Sequence, residues 1–410
     1  MRKLLMKAGV PLVAGAVLLT GFSGVSFASA SASARHPDAT KPTFVIGYEG
    51  PLSGGNAQLG LNEAFAVEYA INQANAGKSQ FGKLPFTLKY KATDDQGEAT
   101  ISPTDAQELT ANSAVIAVVG PAFSGATKAA EPTYSAHNLA TVSPSATNPA
   151  LATSGWHNFF RDVANDSVQG PADADYVVKV LHLDKVYVVN DASTYGEGIA
   201  TTFAAEATKD GATVTTGTFP GTSQCSDGTA SPTQYPDDAA TVASAAPQML
   251  FYGGYYCDLG LLLGALHSAG YSGKVLSGDG SDATQLVTGT NPPTAANGVY
   301  VTCPCAVNGT TKADLAFASG FKAIAKFPVG TYSGEAFDAT NTIIAELQIL
   351  AKTSKGVASI TRINVVNGLH KIVYHGLTKT VSFAADGNIA GDFIYVNQVQ
   401  NGQLVQLGLT

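Results

Sequence analysis

Charge is scarce in this sequence: Asp, Glu, Lys and Arg make up 13% of its 410 residues, and the net charge is −8. No basic cluster stands outside the first few residues. The Lys and Arg needed to neutralise a phosphate backbone are therefore missing, and no nucleic-acid partner is expected. Beyond the N-terminal segment no apolar run approaches the ~18 to 20 residues that span a bilayer, so no second membrane segment is expected. Cysteine is confined to Cys225, Cys257, Cys303 and Cys305, which leaves no lipid-anchoring cysteine near the N-terminus.

The signatures of catalysis are also missing. Gly77-Lys78-Ser79 has the tail of a phosphate-binding loop, but the glycine required five residues before Gly77 is replaced by Asn72. There is no G-x-S-x-G elbow and no H-E-x-x-H helix. Ser319-Gly320-Phe321-Lys322 matches S-x-x-K without the companion motifs, and His267 and His375 have no partner at metal spacing. Cys303-Pro304-Cys305 lacks the spacing and the nearby histidine of a zinc site. No cofactor, metal or enzyme activity is expected.

What is present begins with Arg2, Lys3 and Lys7, an apolar run from Pro11 through Leu19, and small residues around Ala28-Ser29-Ala30. That order predicts a secretory signal peptide over residues 1–34, with a mature, exported chain from about Arg35. An even number of cysteines in an exported chain points to disulfides, for which four residues allow three connectivities. The length and the 45% hydrophobic content suit two cores.

Short β-branched runs alternate with helical patterns. Strands are expected at Thr43 to Tyr48, Phe86 to Tyr90, Val115 to Val119, Val186 to Val189, Thr213 to Thr216, Met249 to Tyr252 and Val299 to Thr302. Ala64, Val67, Ile71 and Ala74 form one apolar helical face, and further helices are expected at Thr201 to Lys209 and Leu259 to Ala269, the last capped by Gly270. Alternation of this kind implies an α/β fold with parallel-rich sheets, in which ligands bind at the carboxyl ends of strands. The loops at those ends are Gly120 to Gly125, Ser143 to Thr147, Asn190 to Gly196, Gly253 to Tyr256 and Gly278 to Gly280. Each is a common turn composition by itself. Five in succession, rich in Gly, Ser, Thr, Tyr and Asp, form a candidate site.

With Ile46 to Gly54, Tyr90 to Asp95, Phe160-Arg161, Gln169-Gly170 and Asp191 to Gly198, these loops resemble the type I periplasmic binding proteins. The resemblance is to the branched-chain (Leu/Ile/Val) amino-acid-binding family of ABC importers. It implies two Rossmann-like lobes joined by three hinge strands, lobe one at 41–162 plus 304–376 and lobe two at 163–303 plus 377–410. It also implies a monomeric, extracytoplasmic binder that hands an amino acid to a membrane permease.

By the same resemblance, Ser124, Ser145, Ala146 and Thr147 would hold the ligand carboxylate through hydroxyls and backbone N–H groups. Tyr195 and Tyr255 would close over the ligand, and Asp279 would accept from its ammonium. Leu59, Phe123 and Tyr332 would form an apolar wall. Arg161 reads as structural, and Asp94 and Asp95 as helix caps. Cys225 with Cys257 is the preferred bridge, each following a strand of the same lobe. Cys303-Pro304-Cys305 falls at a hinge crossing, either as a bridge that restricts closure or as two thiols. The alternatives are another small solute, such as an amide or an aromatic acid, and an extracellular α/β enzyme with a titratable pair facing the cleft.

Overall fold

The computed structural model describes residues 41–222, 225, 234–305, 309–391 and 393–410; the signal segment expected at 1–34 lies outside them. Strands β1 (Thr43–Gly50), β2 (Thr87–Asp94), β3 (Val115–Val119), β4 (Ala140–Ser143) and β5 (Phe159–Arg161) form a first sheet. Its order is β2-β1-β3-β4-β5, and every pairing is parallel. All five residues of β3 are buried, as befits a central strand covered on both faces.

A second sheet takes β6 (Lys185–Asn190), β7 (Thr213–Thr218), β8 (Met249–Gly253), β9 (Lys274–Ser277) and β10 (Tyr300–Cys303). A hairpin of two short strands, β11 (Tyr374–His375) and β12 (Thr380–Val381), follows, and then β13 (Tyr395–Gln400) and β14 (Gln403–Leu409) return to the second sheet. The order there is β14-β13-β10-β9-β8-β6-β7, with β13 and β14 antiparallel to their neighbours. All seven strands expected from the sequence are present within a few residues of their predicted ends.

The helix expected from the Ala64, Val67, Ile71 and Ala74 face runs from Ala57 to Asn75, and these four residues are buried along one side of it. The helix Tyr256–Ser268 ends ahead of Gly270, whose φ of 73° carries the left-handed turn. Each sheet has its own apolar core: Ile46, Ile116 and Val119 meet Ala339, Ile343 and Leu347 in the first, and Val188, Phe203, Phe251 and Leu262 build the second.

One segment sits elsewhere than expected. Residues from 377 to about 391 were assigned by resemblance to lobe two, yet Val381 and Phe383 belong to the first core and the Arg161 amide donates to the Gly387 carbonyl. The cause is the small hairpin, whose apolar residues cover Phe160 (Phe383 ring at 4.9 Å) before the chain crosses to β13. The cysteine sulfurs approach in two pairs at bonding distance, Cys225 with Cys257 and Cys303 with Cys305. Among the described residues no helix is long and apolar enough to cross a membrane.

Candidate functional site

The carboxyl ends of the two sheets face each other across one small cavity. From the first side, β3 ends at Gly120, whose φ of 107° and tight fit against the Glu49 carbonyl admit no side chain. The chain then turns through Ala122 and Phe123, and a helix begins at Ser124. Ser124 and Ser145 line the cavity with Leu59, Ala122 and Phe123. From the second side come Tyr195, Tyr255, Asp279 and Gly280, while Tyr332 reaches in from the start of the helix Ser333–Ala351, which packs in the first core. The space measures about 10 Å³, little more than one water-sized sphere.

Aromatic rings close it. Phe123 stacks on Tyr255 with centroids 4.3 Å apart, and Tyr195 lies 5.2 Å from the same ring. Phe123 and Tyr255 also line an outer groove of about 190 Å³, so this ring pair stands between the groove and the inner cavity.

Asp279 is the charged group of the site and is buried. Tyr195 Oη donates to Asp279 Oδ1 at 2.9 Å, and Tyr332 Oη donates to Oδ2 at 2.6 Å. The Gly280 amide donates in turn to the Tyr195 hydroxyl at 3.1 Å. Burial pushes the Asp279 carboxyl up to about 6, against the two tyrosine bonds, which pull it down. Tyr332 was expected as apolar wall; its hydroxyl makes it a polar partner of Asp279 as well.

The donors opposite are neutral. The Ser124 hydroxyl accepts the Asn148 amide at 3.2 Å, and the Ser145 hydroxyl donates to the Ala122 carbonyl at 2.8 Å. Ala146 and Thr147 are fully buried and do not line the cavity. The Ala146 amide donates to Ser143 Oγ at 3.0 Å, and the buried Thr147 hydroxyl lies near the Asp166 carboxyl with no hydrogen-bond partner within bonding geometry among the described residues. Asp166 is itself held well above the usual carboxylate range, first by burial and then by the nearby Asp279.

Arg161 is buried at the back of this loop. Its Nη1 donates to the carbonyls of Ala146 (2.9 Å) and Asn148 (2.8 Å), and Nε donates to Asn388 Oδ1 at 2.7 Å. It thus fixes the backbone on both sides of Thr147, a structural part rather than a ligand contact. Asp94 and Asp95 do not cap the next helix, which begins at Ser102; they accept from the backbone at Leu52, Ser53, Gln96 and Gly97 and so hold the loops at the ends of β1 and β2.

Sequence reasoning missed Ala122 and Gly280, which carry no side-chain chemistry. Gly280 is nevertheless signalled by its place after Asp279: a Cβ there would meet the Tyr195 ring at 2.6 Å. Among the described residues, two clusters have the composition of metal ligands. In one, Asp282, Cys303 and Cys305, the sulfurs are at bonding distance; in the other, Asp175, Glu206 and Asp210, Lys179 and Lys209 are ion-paired with the carboxylates.

Residues 43–403 match the family model described as "Periplasmic binding protein". The Leu/Ile/Val-binding protein homolog 3 of Brucella melitensis is 30% identical over 273 residues, which cover 66% of this chain and 70% of that one. A leucine-, isoleucine-, valine-, threonine- and alanine-binding protein of Pseudomonas aeruginosa is 26% identical over 81% of each chain. Among solved structures, the substrate binding protein LivJ of a branched-chain amino acid transporter of Streptococcus pneumoniae, in complex with isoleucine, superposes with a TM-score of 0.77 at 24% identity. It covers 90% of this chain and 99% of its own. A solute-binding protein of Rhodopseudomonas palustris in complex with benzoate gives 0.74 at 17% identity, over 90% and 96%. The fold is that of these binding proteins, and the chain belongs to the periplasmic binding protein family.

Proposed function

We propose that this chain is an extracytoplasmic solute-binding protein of an ABC importer, taking a hydrophobic or branched-chain amino acid between its two sheets. The observation that carries the reading is Asp279. It is a buried carboxylate on the cavity wall whose hydrogen-bond partners are tyrosine hydroxyls rather than cations. A carboxylate so desolvated favours an ammonium, because an uncompensated buried charge costs several kcal/mol. Across from it, the Ser124 hydroxyl, which accepts from Asn148 and keeps its own hydrogen free, and the N–H groups at the start of the helix Ser124–Ala136 suit a carboxylate without bringing a second full charge. A zwitterion satisfies both sides, and Leu59, Phe123 and Tyr255 suit an apolar side chain. Thr147 and Ala146 enter this scheme through the backbone that Arg161 holds.

The cavity is far below the ~300 Å³ at which small-molecule pockets begin, so a solute enters by separation of the two bodies and parting of Phe123 from Tyr255. Carrying a closed fraction from 1:99 to 99:1 takes ~5.5 kcal/mol, within the ~8.2 kcal/mol of a micromolar ligand. The closed form is what a permease would read. We place the third crossing between lobes near residue 391 and the first two near 162 and 303. Both cysteine pairs are read as disulfides, as suits an exported monomer. A second reading, an aromatic acid, is favoured by the Phe123–Tyr255 stack. Calorimetry with leucine, isoleucine, valine, their amides and their deaminated acids decides between them. Micromolar binding of an amino acid supports the first, and equal binding of the deaminated acid overturns it.

A further inference from the structure

Asn56 stands at the N-cap position of the helix Ala57–Asn75, where asparagine ordinarily bonds the first turn of its own helix. Here it makes no side-chain cap. Its amide crosses instead to the other body: Nδ2 donates to the Cys225 carbonyl and Oδ1 accepts the Cys257 amide, both at 3.2 Å. The side chain is almost fully buried, so these two bonds replace its hydration. A single carboxamide can take a carbonyl and an N–H at once only if they lie side by side. Cys225 and Cys257 are 32 residues apart in sequence, and their paired sulfurs hold the two backbone groups together.

The surroundings are shaped to the same contact. A Cβ on Gly55 would meet Cys225 Cα at 2.6 Å and Cys257 Sγ at 2.9 Å, so only glycine lets the loop come this close. The Gln58 amide, left without a partner by its place in the first helical turn, donates to Tyr256 Oη at 3.2 Å. Gln285 Nε2 donates to Gln58 Oε1 at 3.0 Å. Each partner is a near neighbour in sequence of a cavity wall: Leu59 follows Gln58, and Tyr255 precedes Tyr256.

We propose that Asn56 and the Cys225–Cys257 corner form a latch across the cleft, an affinity-determining contact made only when the two bodies close and dependent on the paired cysteines for its geometry. The proposal rests on reading the cavity as a solute site between two moving bodies, though not on which solute it takes. When the bodies part, the Asn56 amide and the two backbone groups return to water. The latch therefore acts on release of the solute rather than on its capture.

The test is amide hydrogen exchange at Cys257 together with solute release by stopped flow, on wild type, Asn56→Ala and the milder Tyr256→Phe. Exchange is followed on the protein alone and with a mixture of amino acids, amides and aromatic acids. The Cys257 amide is expected to exchange at least tenfold faster in Asn56→Ala, in whichever condition protects it more, with release accelerated by about tenfold and capture unchanged. Tyr256→Phe should move release in the same direction by a smaller factor. In a Cys225→Ser/Cys257→Ser background, Asn56→Ala should have little further effect. Equal exchange at Cys257 in wild type and Asn56→Ala overturns the latch, and a full Asn56→Ala effect in the serine background overturns the role of the cysteines. A blank in amino-acid calorimetry would strike the solute assignment alone.

Discussion

Ser124 and Ser145, on the first sheet's side of the cavity, carry no formal charge and stand in front of a buried cation, Arg161, that bonds only carbonyls and an amide. Asp279, on the second side, carries the charge itself and stands among neutral hydroxyls. In one half the charge is spent on shaping backbone, and in the other it stands on the cavity wall. The difference teaches where each half is vulnerable: the first through its support, the second through its contact atom.

The sharpest way to break this contrast is Asp279→Ala. Removing one member of a buried pair costs about 3 to 5 kcal/mol, so amino-acid affinity should fall by ~10² to 5 × 10³, measured by calorimetry. Retained affinity would mean that the second half does not hold the ammonium. Arg161→Met should act differently. It leaves two buried carbonyls without their donor, and at ~1 to 3 kcal/mol each the melting midpoint should drop along with affinity. A loss of affinity without loss of stability would make Arg161 a contact residue instead.

Acidity should separate the halves again. With the Asp279 carboxyl raised to about 6, binding of an ammonium requires proton release below that pH, and affinity should fall by up to about tenfold per unit from pH 6 downward. Stability should move the other way. Burial raises Asp95 and Asp282 to about 7 and Glu63 to about 8, all above their unfolded values near 4. Their contribution is complete below the unfolded pKa and is lost as pH rises from about 4 through the folded values of about 7 to 8. Calorimetric melts should therefore show a higher midpoint at pH 5 than at pH 8, while affinity is lower. The smallest effect is expected for Ser124→Ala, where one hydroxyl among several donors is lost: about 0.5 to 1.5 kcal/mol, roughly two- to tenfold in Kd.

Much of the fold was legible because its signals are local. β3 and β8 are unbroken apolar runs of parallel-strand length, and Ala64, Val67, Ile71 and Ala74 mark their helix by period alone. The polar loops after the strands gave the cavity-lining Ser124, Ser145, Tyr195, Tyr255 and Asp279. Less legible were short elements such as β5, three residues long, and the hairpin of β11 and β12, which carry too few residues for any periodicity to show. The place of Thr147 was illegible for another reason: whether its hydroxyl meets a solute or Asp166 depends on a helix that arrives from the far side of the loop.

The order of apolar and polar residues along the chain determined parallel-rich sheets, the loops at their ends and the kinds of group those loops present, since each of these follows from neighbours a few residues apart. Only the tertiary structure decided that Tyr332 would bond Asp279, that the chain near 377 to 391 would stay with the first core, and that Asn56 would forsake its own helix for Cys225 and Cys257. These partners lie 53 to 201 residues apart in the chain. Contacts at such separations depend on how whole bodies pack, and local patterning carries no record of that.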